Sequence, residues 1–94
     1  MHVRWLRVAL ANLLEAAEYL ERENPTAATA SLERIVKAVY RLEHYPAIGR
    51  AGRIEGTREL LVAGTPYVIP YRVRGQYVEI LRVFHSARKW PTKL

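Results

Sequence analysis

The stretch Gly56–Pro91, GTRELLVAGTPYVIPYRVRGQYVEILRVFHSARKWP, decides the fold. It reads as three short strands and two turns, closed by a basic tail. Thr57 to Val62 alternates Arg58, Leu60 and Val62 with Thr57, Glu59 and Leu61. Ala63-Gly64-Thr65-Pro66 has the composition of a turn. Tyr67 to Val73 sets Tyr67, Ile69, Tyr71 and Val73 on one face and Val68, Pro70 and Arg72 on the other. Arg74-Gly75-Gln76 suits a tight hairpin turn. Tyr77 to Phe84 then places Val78, Ile80, Arg82 and Phe84 opposite Tyr77, Glu79, Leu81 and Val83. Apolar residues on both faces predict a central strand. Pro70 cannot donate to a ladder and predicts a local irregularity.

Upstream, the apolar period changes from two to between three and four. Leu6, Leu10, Leu13, Leu14, Ala17 and Leu20 recur at helical steps, so a helix is predicted over 6–23, with Asn12, Glu15, Glu18 and Arg22 on its polar face. Asn24-Pro25 is the clearest punctuation. The residue before a proline avoids the α region, and proline is favoured at the first helical position. A second helix is therefore predicted over 25–43, burying Ala28, Leu32, Ile35, Val36, Val39 and Leu42. With almost no loop between them, the two helices form an antiparallel hairpin. His2 to Trp5 reads as a short edge strand. The predicted class is α+β: a single domain over 1–94, with an N-terminal helical hairpin packed on one side of a small antiparallel sheet.

Composition sets the bounds. Ninety-four residues leave room for one core. The absence of cysteine excludes disulfides, thiolate metal sites and cysteine nucleophiles, and is compatible with the cytoplasm. No His/Asp/Glu spacing suggests a metal, and neither a metal nor any other cofactor is expected. No apolar run reaches membrane-spanning length, and the N-terminal region lacks the apolar core and cleavage site of a signal peptide. A net charge of +6, with basic residues bunched after Arg50, points to a polyanionic partner: nucleic acid, a ribosome or an acidic protein segment. The loop AIGRAGRI, 47–54, holds two glycines and two arginines, but a helix precedes it and a strand follows, the reverse of a phosphate-binding loop. Arg50, Arg53, Arg72, Arg88 and Lys89 are candidates for contacting phosphate or an acidic partner. Arg72 and Arg82 lie on neighbouring strands and would make a positive groove if both face away from the helices.

Taken in order, these pieces resemble the RelE/ParE superfamily of type II toxins over nearly the whole chain. They are Trp5 opening the first helix; Tyr19, Asn24-Pro25 and Ala27-Ala28; Leu42, Pro46 and Gly49-Arg50; and Gly56-Thr57-Arg58-Glu59-Leu60. Pro66-Tyr67-Val68-Ile69, Tyr71-Arg72-Val73 and Val78-Glu79-Ile80-Leu81-Arg82-Val83 follow, leading into His85, Arg88 and Trp90-Pro91. The resemblance implies a growth-inhibiting toxin held inactive by a cognate antitoxin, often acidic, DNA-binding and partly disordered. That antitoxin is expected to cover the sheet face and the C-terminal tail, with Tyr71, Phe84 and Trp90 as contacts.

The superfamily divides by target: RelE-like members cut ribosome-bound mRNA without metal, and ParE-like members poison DNA gyrase. Metal-free RNA cleavage needs a base, an acid and cations around the phosphorane. Here His85, Arg82 and Arg58 are the candidate catalytic residues. Three departures turn the resemblance toward ParE-like members. Val68 stands where RelE-like nucleases place an arginine; the sheet carries no lysine; and no tyrosine follows Tyr77 near the histidine. The expectation is a gyrase-binding toxin, with a ribosome-dependent endoribonuclease as the alternative and a binder that has lost toxicity as a third reading.

Overall fold

The computed structural model describes residues 1–87, 89–91 and 93–94. Its elements are β1 (His2–Trp5), α1 (Arg7–Glu23), α2 (Pro25–Arg41), β2 (Arg50–Ala51), β3 (Arg58–Leu61), β4 (Tyr67–Arg74), β5 (Tyr77–Ile80) and β6 (Phe84–His85). The sheet order is β1-β5-β4-β3-β2, with β6 pairing β4 beyond the end of β5. The helical hairpin and the three predicted strands are all present. Asn24 joins the helices through its backbone: its N–H bonds Leu20 O at 2.8 Å and its carbonyl accepts from Ala27 at 3.0 Å. Its side chain makes no capping hydrogen bond.

The sheet is mixed, not antiparallel throughout. The opener β1 is an edge strand, as predicted, but it runs parallel to β5, with Val3 opposite Val78 and Trp5 opposite Ile80. The chain between them runs through the helical hairpin to the far edge of the sheet and back through β3 and β4, which brings β5 beside β1 in the same direction. Between β4 and β5, Arg74 pairs Tyr77 across the two-residue loop Gly75-Gln76. Gly75 takes φ +59°, a conformation open to glycine without steric cost.

Pro70 sits within an unbroken β4, and the irregularity it predicts falls on the strand beside it. Leu81 N–H bonds Pro70 O at 3.0 Å, so these residues form a hydrogen-bonded antiparallel pair. The reciprocal donor would be the N–H of residue 70, which proline lacks. β5 ends at Ile80, and pairing resumes one residue out of step, with Phe84 opposite Val68 and His85 opposite Tyr67. The extra residue is a bulge, and it reverses the faces beyond it. Phe84 therefore lies on the face away from the helices, not with Val78 and Ile80 as strict alternation predicted.

The core lies between the hairpin and the inner sheet face. It contains Ala9, Ala16, Leu20, Ala28, Ile35, Val39 and Leu42 from the helical layer, and Leu60, Val62, Tyr67, Ile69, Tyr71, Val78, Ile80 and Val83 from the sheet layer. Helix α1 turns inward a stripe that overlaps the predicted one only in part: Leu20 is buried and Leu13 packs against the core, as predicted. Leu10 and Leu14 are 46% and 66% exposed, and Ala9, Asn12 and Ala16 are buried in their place. In α2, Val36 is likewise exposed, while Ile35 and Val39 are buried as expected. Asn12, assigned above to the polar face, is instead a buried bridge: its Oδ1 accepts the Val83 N–H at 3.1 Å, satisfying a backbone group in the bulge.

Candidate functional site

Two carboxylates organise the face of the sheet away from the helices. Strand pairing puts Arg4, Glu79 and Arg72 in one row across it, and Pro70, Glu59 and Arg50 in the next, two residues along β4. Glu79 is buried under Arg72, whose Nε donates at 2.7 Å, with Arg74 at 3.7 Å and Arg4 at 3.8 Å. Glu59 is buried under two more arginines. Its Oε1 accepts from Arg50 Nη2 at 2.9 Å and Nε at 3.1 Å; its Oε2 accepts from the Arg53 backbone N–H at 2.8 Å and side-chain Nε at 3.2 Å. The Arg72 hydrogen bond chiefly holds Glu79 below its usual range, against the opposing effect of burial, with the charges of Arg72, Arg74 and Arg4 assisting. At Glu59 burial pushes upward, but the Arg53 N–H, the Arg50 side chain and both arginine charges outweigh it, so it too stays ionised below the usual range.

Five arginines thus ride over two glutamates, a surplus of three positive charges on that face. The arginines are half-exposed or more at four of the five positions. Arg50, Arg53 and Arg72, expected to bind phosphate or an acidic partner, are all partnered from below and pre-oriented by that pairing. The C-terminal segment docks on the same side. Trp90 lies under the Arg53 guanidinium at 3.7 Å from the ring centroid and packs edge-on to Phe84 at 4.9 Å. Trp90 is therefore a partly covered anchor of its own chain. Its Nε1 is the buried side-chain polar atom without a hydrogen-bond partner among the described residues. Lys89 is exposed beside it. Arg88 lies outside the described residues.

The three candidate catalytic residues do not converge. Arg58 Nη1 donates to the carbonyls of Gly49 at 2.9 Å and Ala47 at 3.3 Å, clamping the loop that follows α2. Tyr71 holds the same loop from within: its hydroxyl donates to Pro46 O at 2.7 Å and accepts the Gly49 N–H at 2.9 Å. Arg58 pairs with Tyr71, and His85 with Tyr67, four residues further along β4, roughly 13 Å at strand spacing. Arg82 is taken up by the Leu81 carbonyl at 2.7 Å and turns toward Phe84 and Trp90. Arg72 lies over Glu79 on the side away from the helices, while Arg82 lines one depression with Arg72, Arg74 and Leu81 and another with Val8 and Asn12 of α1. Tyr71 and Phe84, expected as antitoxin contacts, are 0% and 3% exposed; they are core residues of the inner and outer faces and offer a partner no surface.

His85 belongs to a separate groove of about 620 Å³ between α1 and the end of β4. Its ring stands edge-on to Tyr67 and Tyr19, with centroids at 5.6 and 6.0 Å. Its Nδ1 accepts the Ala87 N–H at 3.2 Å. Glu15, Glu18 and Arg22 line the mouth. Burial, with Tyr19 adding to it, raises the Tyr67 hydroxyl above its ordinary range, so that group is protonated at neutral pH. Among the described residues no cluster of His, Asp or Glu has metal-binding geometry, and no helix is long and apolar enough to cross a membrane.

Glu59, Glu79, Asn12, Tyr19 and Tyr67 were not picked out as site residues by sequence reasoning. One signal was available. Arg72 and Glu79 are equidistant from the Gly75-Gln76 turn, so a two-residue hairpin makes them a facing pair.

The sequence profile described as "ParE toxin of type II toxin-antitoxin system, parDE" matches residues 3–90. Among curated relatives, the chain is 48% identical over 92 residues to a putative toxin, Y4kP, of Sinorhizobium fredii, covering 98% of this chain and 95% of that protein. It is 38% identical over 86 residues to toxin RelE2 of Caulobacter vibrioides, covering 92% and 96%. Among solved structures, a chain of the chromosomal ParDE toxin–antitoxin system of P. aeruginosa superposes with a TM-score of 0.82 at 28% identity, covering 90% of this chain and 95% of that one. A chain of the RelBE2 toxin–antitoxin complex of Mycobacterium tuberculosis superposes with a TM-score of 0.62 at 28% identity, covering 89% and 95%.

Proposed function

The chain belongs to the ParE toxin family of type II toxin–antitoxin systems, and from that premise we propose that it arrests growth by binding and poisoning DNA gyrase. A cognate antitoxin holds it inactive, as expected from the toxin–antitoxin complexes among its structural neighbours. The observation that carries the gyrase reading is the dispersal of His85, Arg82 and Arg58. Phosphoryl chemistry without a metal needs base, acid and cation within reach of one phosphate. Here Arg58 holds loop carbonyls at one end of the sheet, Arg82 holds a strand carbonyl on its other side, and His85 stands among tyrosines. What the surface does present is a rigid, positive, carboxylate-backed arginine face with a docked tryptophan, a surface for binding an acidic partner rather than for cutting one.

A ribosome-dependent endoribonuclease is the second reading. The His85 groove supports it, since Tyr19, Tyr67 and Arg22 supply hydroxyls and one cation beside the imidazole. Induced expression without antitoxin, followed by pulse labelling, separates the two. The gyrase reading expects DNA synthesis to fall first, chromosome breaks to appear and His85→Ala to retain growth arrest. Early loss of protein synthesis, with mRNAs cut inside reading frames and arrest abolished by His85→Ala, would overturn it.

A further inference from the structure

The His85 groove has the opposite sign to the outer arginine face. Glu15 and Glu18 are exposed at its mouth, one turn apart on one face of α1. Neither forms a salt bridge among the described residues, although the chain carries a net charge of +6. Arg22 also lines the groove, but it stands two turns beyond Glu15, about 10 Å along the helix axis.

Behind the carboxylates lie aromatic rings. The His85 ring stands at 77° to Tyr19 and at 78° to Tyr67, so the three form an open-sided box and not a stack. The Ala87 N–H bonded to its Nδ1 holds the imidazole in that orientation. Each ring face carries the negative part of an aromatic quadrupole. Tyr67 is only 4% exposed and lines the groove, and its hydroxyl makes no hydrogen bond among the described residues. A buried phenol ordinarily finds a partner within the fold. This one therefore marks the floor of the groove as a place for a polar ligand.

We infer that this groove takes the guanidinium of an arginine side chain from a partner protein, boxed by Tyr19, Tyr67 and His85 and neutralised by Glu15 and Glu18. A guanidinium is flat, always charged and weakly hydrated. It stacks on ring faces while its in-plane N–H groups donate to carboxylates and to the Tyr67 oxygen. The ammonium of lysine is compact and strongly hydrated, and gains less from the rings. A phosphate would gain Arg22 but meet two carboxylates and ring faces of its own sign. The inference concerns a surface that the gyrase reading does not use, and it does not rest on that reading.

The test is an NMR titration of the isotopically labelled full chain with N-acetyl-arginine amide and with its lysine and citrulline counterparts. Arginine should bind saturably, with the largest shifts at the His85 and Tyr67 rings and at the amides of Glu15, Glu18 and Tyr19. Lysine should bind more weakly, and citrulline, which is nearly isosteric but neutral, should not bind. The double variant Glu15→Gln/Glu18→Gln, at two exposed positions, should weaken arginine binding by about tenfold while thermal unfolding stays native. His85→Ala should weaken it by about threefold. Arg22→Gln should strengthen it, because a like charge leaves the groove. Absence of saturation, equal binding of citrulline, shifts confined to other surfaces, or affinity unchanged in the double variant would overturn the assignment. So would tighter binding of uridine monophosphate at the same residues, lost in Arg22→Gln, which would make the groove a phosphate site. No cellular readout enters, so this result and the growth-arrest experiment can fail independently.

Discussion

The carbonyl of Leu81 accepts a hydrogen bond from Arg82 Nη1 at 2.7 Å, at the point in the ladder where Pro70 has no N–H to offer. Proline in a central strand ordinarily strands an acceptor on its neighbour. Here the next side chain along reaches back to satisfy it. The arginine that resembled a catalytic cation is thereby a backbone partner at a bulge.

Arg82→Ala should destabilise the fold by about 1 kcal/mol, the net worth of a typical intramolecular hydrogen bond, since the guanidinium is partly exposed. In a Pro70→Ala background, where residue 70 regains its N–H, the same substitution should cost clearly less. Chemical denaturation of the two single variants and the double variant gives the coupling directly, and strict additivity would show that Arg82 does not replace the missing donor.

Asn12→Leu should be the costlier change in α1, although it makes the helix more apolar. It leaves the Val83 N–H buried without its acceptor, at a cost of about 1–3 kcal/mol. For a chain of this size each kcal/mol lowers the midpoint by roughly 4–8 °C, so thermal unfolding resolves it. Leu14→Gln, at an exposed position, should leave the midpoint nearly unchanged.

Tyr71→Phe removes one hydroxyl but uncouples two backbone groups, Pro46 O and Gly49 N–H. Burial, only partly offset by the Gly49 N–H and by Arg58, holds the Tyr71 phenol above its ordinary range, so it remains a protonated donor through neutral pH. A loss of about 1–3 kcal/mol is expected, together with faster hydrogen exchange in the loop before β2. Gly49→Ala should be at least as damaging, because its Cβ would lie 2.7 Å from the Tyr71 hydroxyl and ring.

Stability should fall in acid through Glu79 and Glu59. Both folded carboxyls titrate below their unfolded range, so their contribution is complete above the unfolded value of about 4.3 and is lost as pH drops through the lower folded values. Glu79→Gln should lower the unfolding midpoint at neutral pH and flatten its decline below about pH 4. A variant whose acid limb parallels that of the parent would show that Glu79 carries none of the dependence.

Local chemistry was enough for the two helices, the opening strand and the three main strands, though not for β2, which lies in the stretch read as a loop, or for the break between β5 and β6. Asn24-Pro25 divides the helices because a pre-proline residue leaves the α region and proline opens the next helix. Gly75 makes the hairpin, Pro70 signals a fault in the ladder, and period-two and helical patterns mark the strands and the hairpin. The order of family-like pieces was legible too, since it depends only on the chain. What three-dimensional packing alone decided is which surface each element turns inward. Helix α1 carries apolar residues on two stripes, and tertiary packing turned Ala9, Asn12 and Ala16 inward and left Leu10 and Leu14 exposed. The parallel docking of β1 on β5 joins residues far apart in sequence, which no local propensity encodes. The bulge beyond Ile80 reversed the face of Phe84 and parted Arg82 from His85, because alternation holds only while register does. The candidate catalytic group came apart for that reason: its members were near in sequence or alike in charge, whereas convergence is a property of strand register and packing.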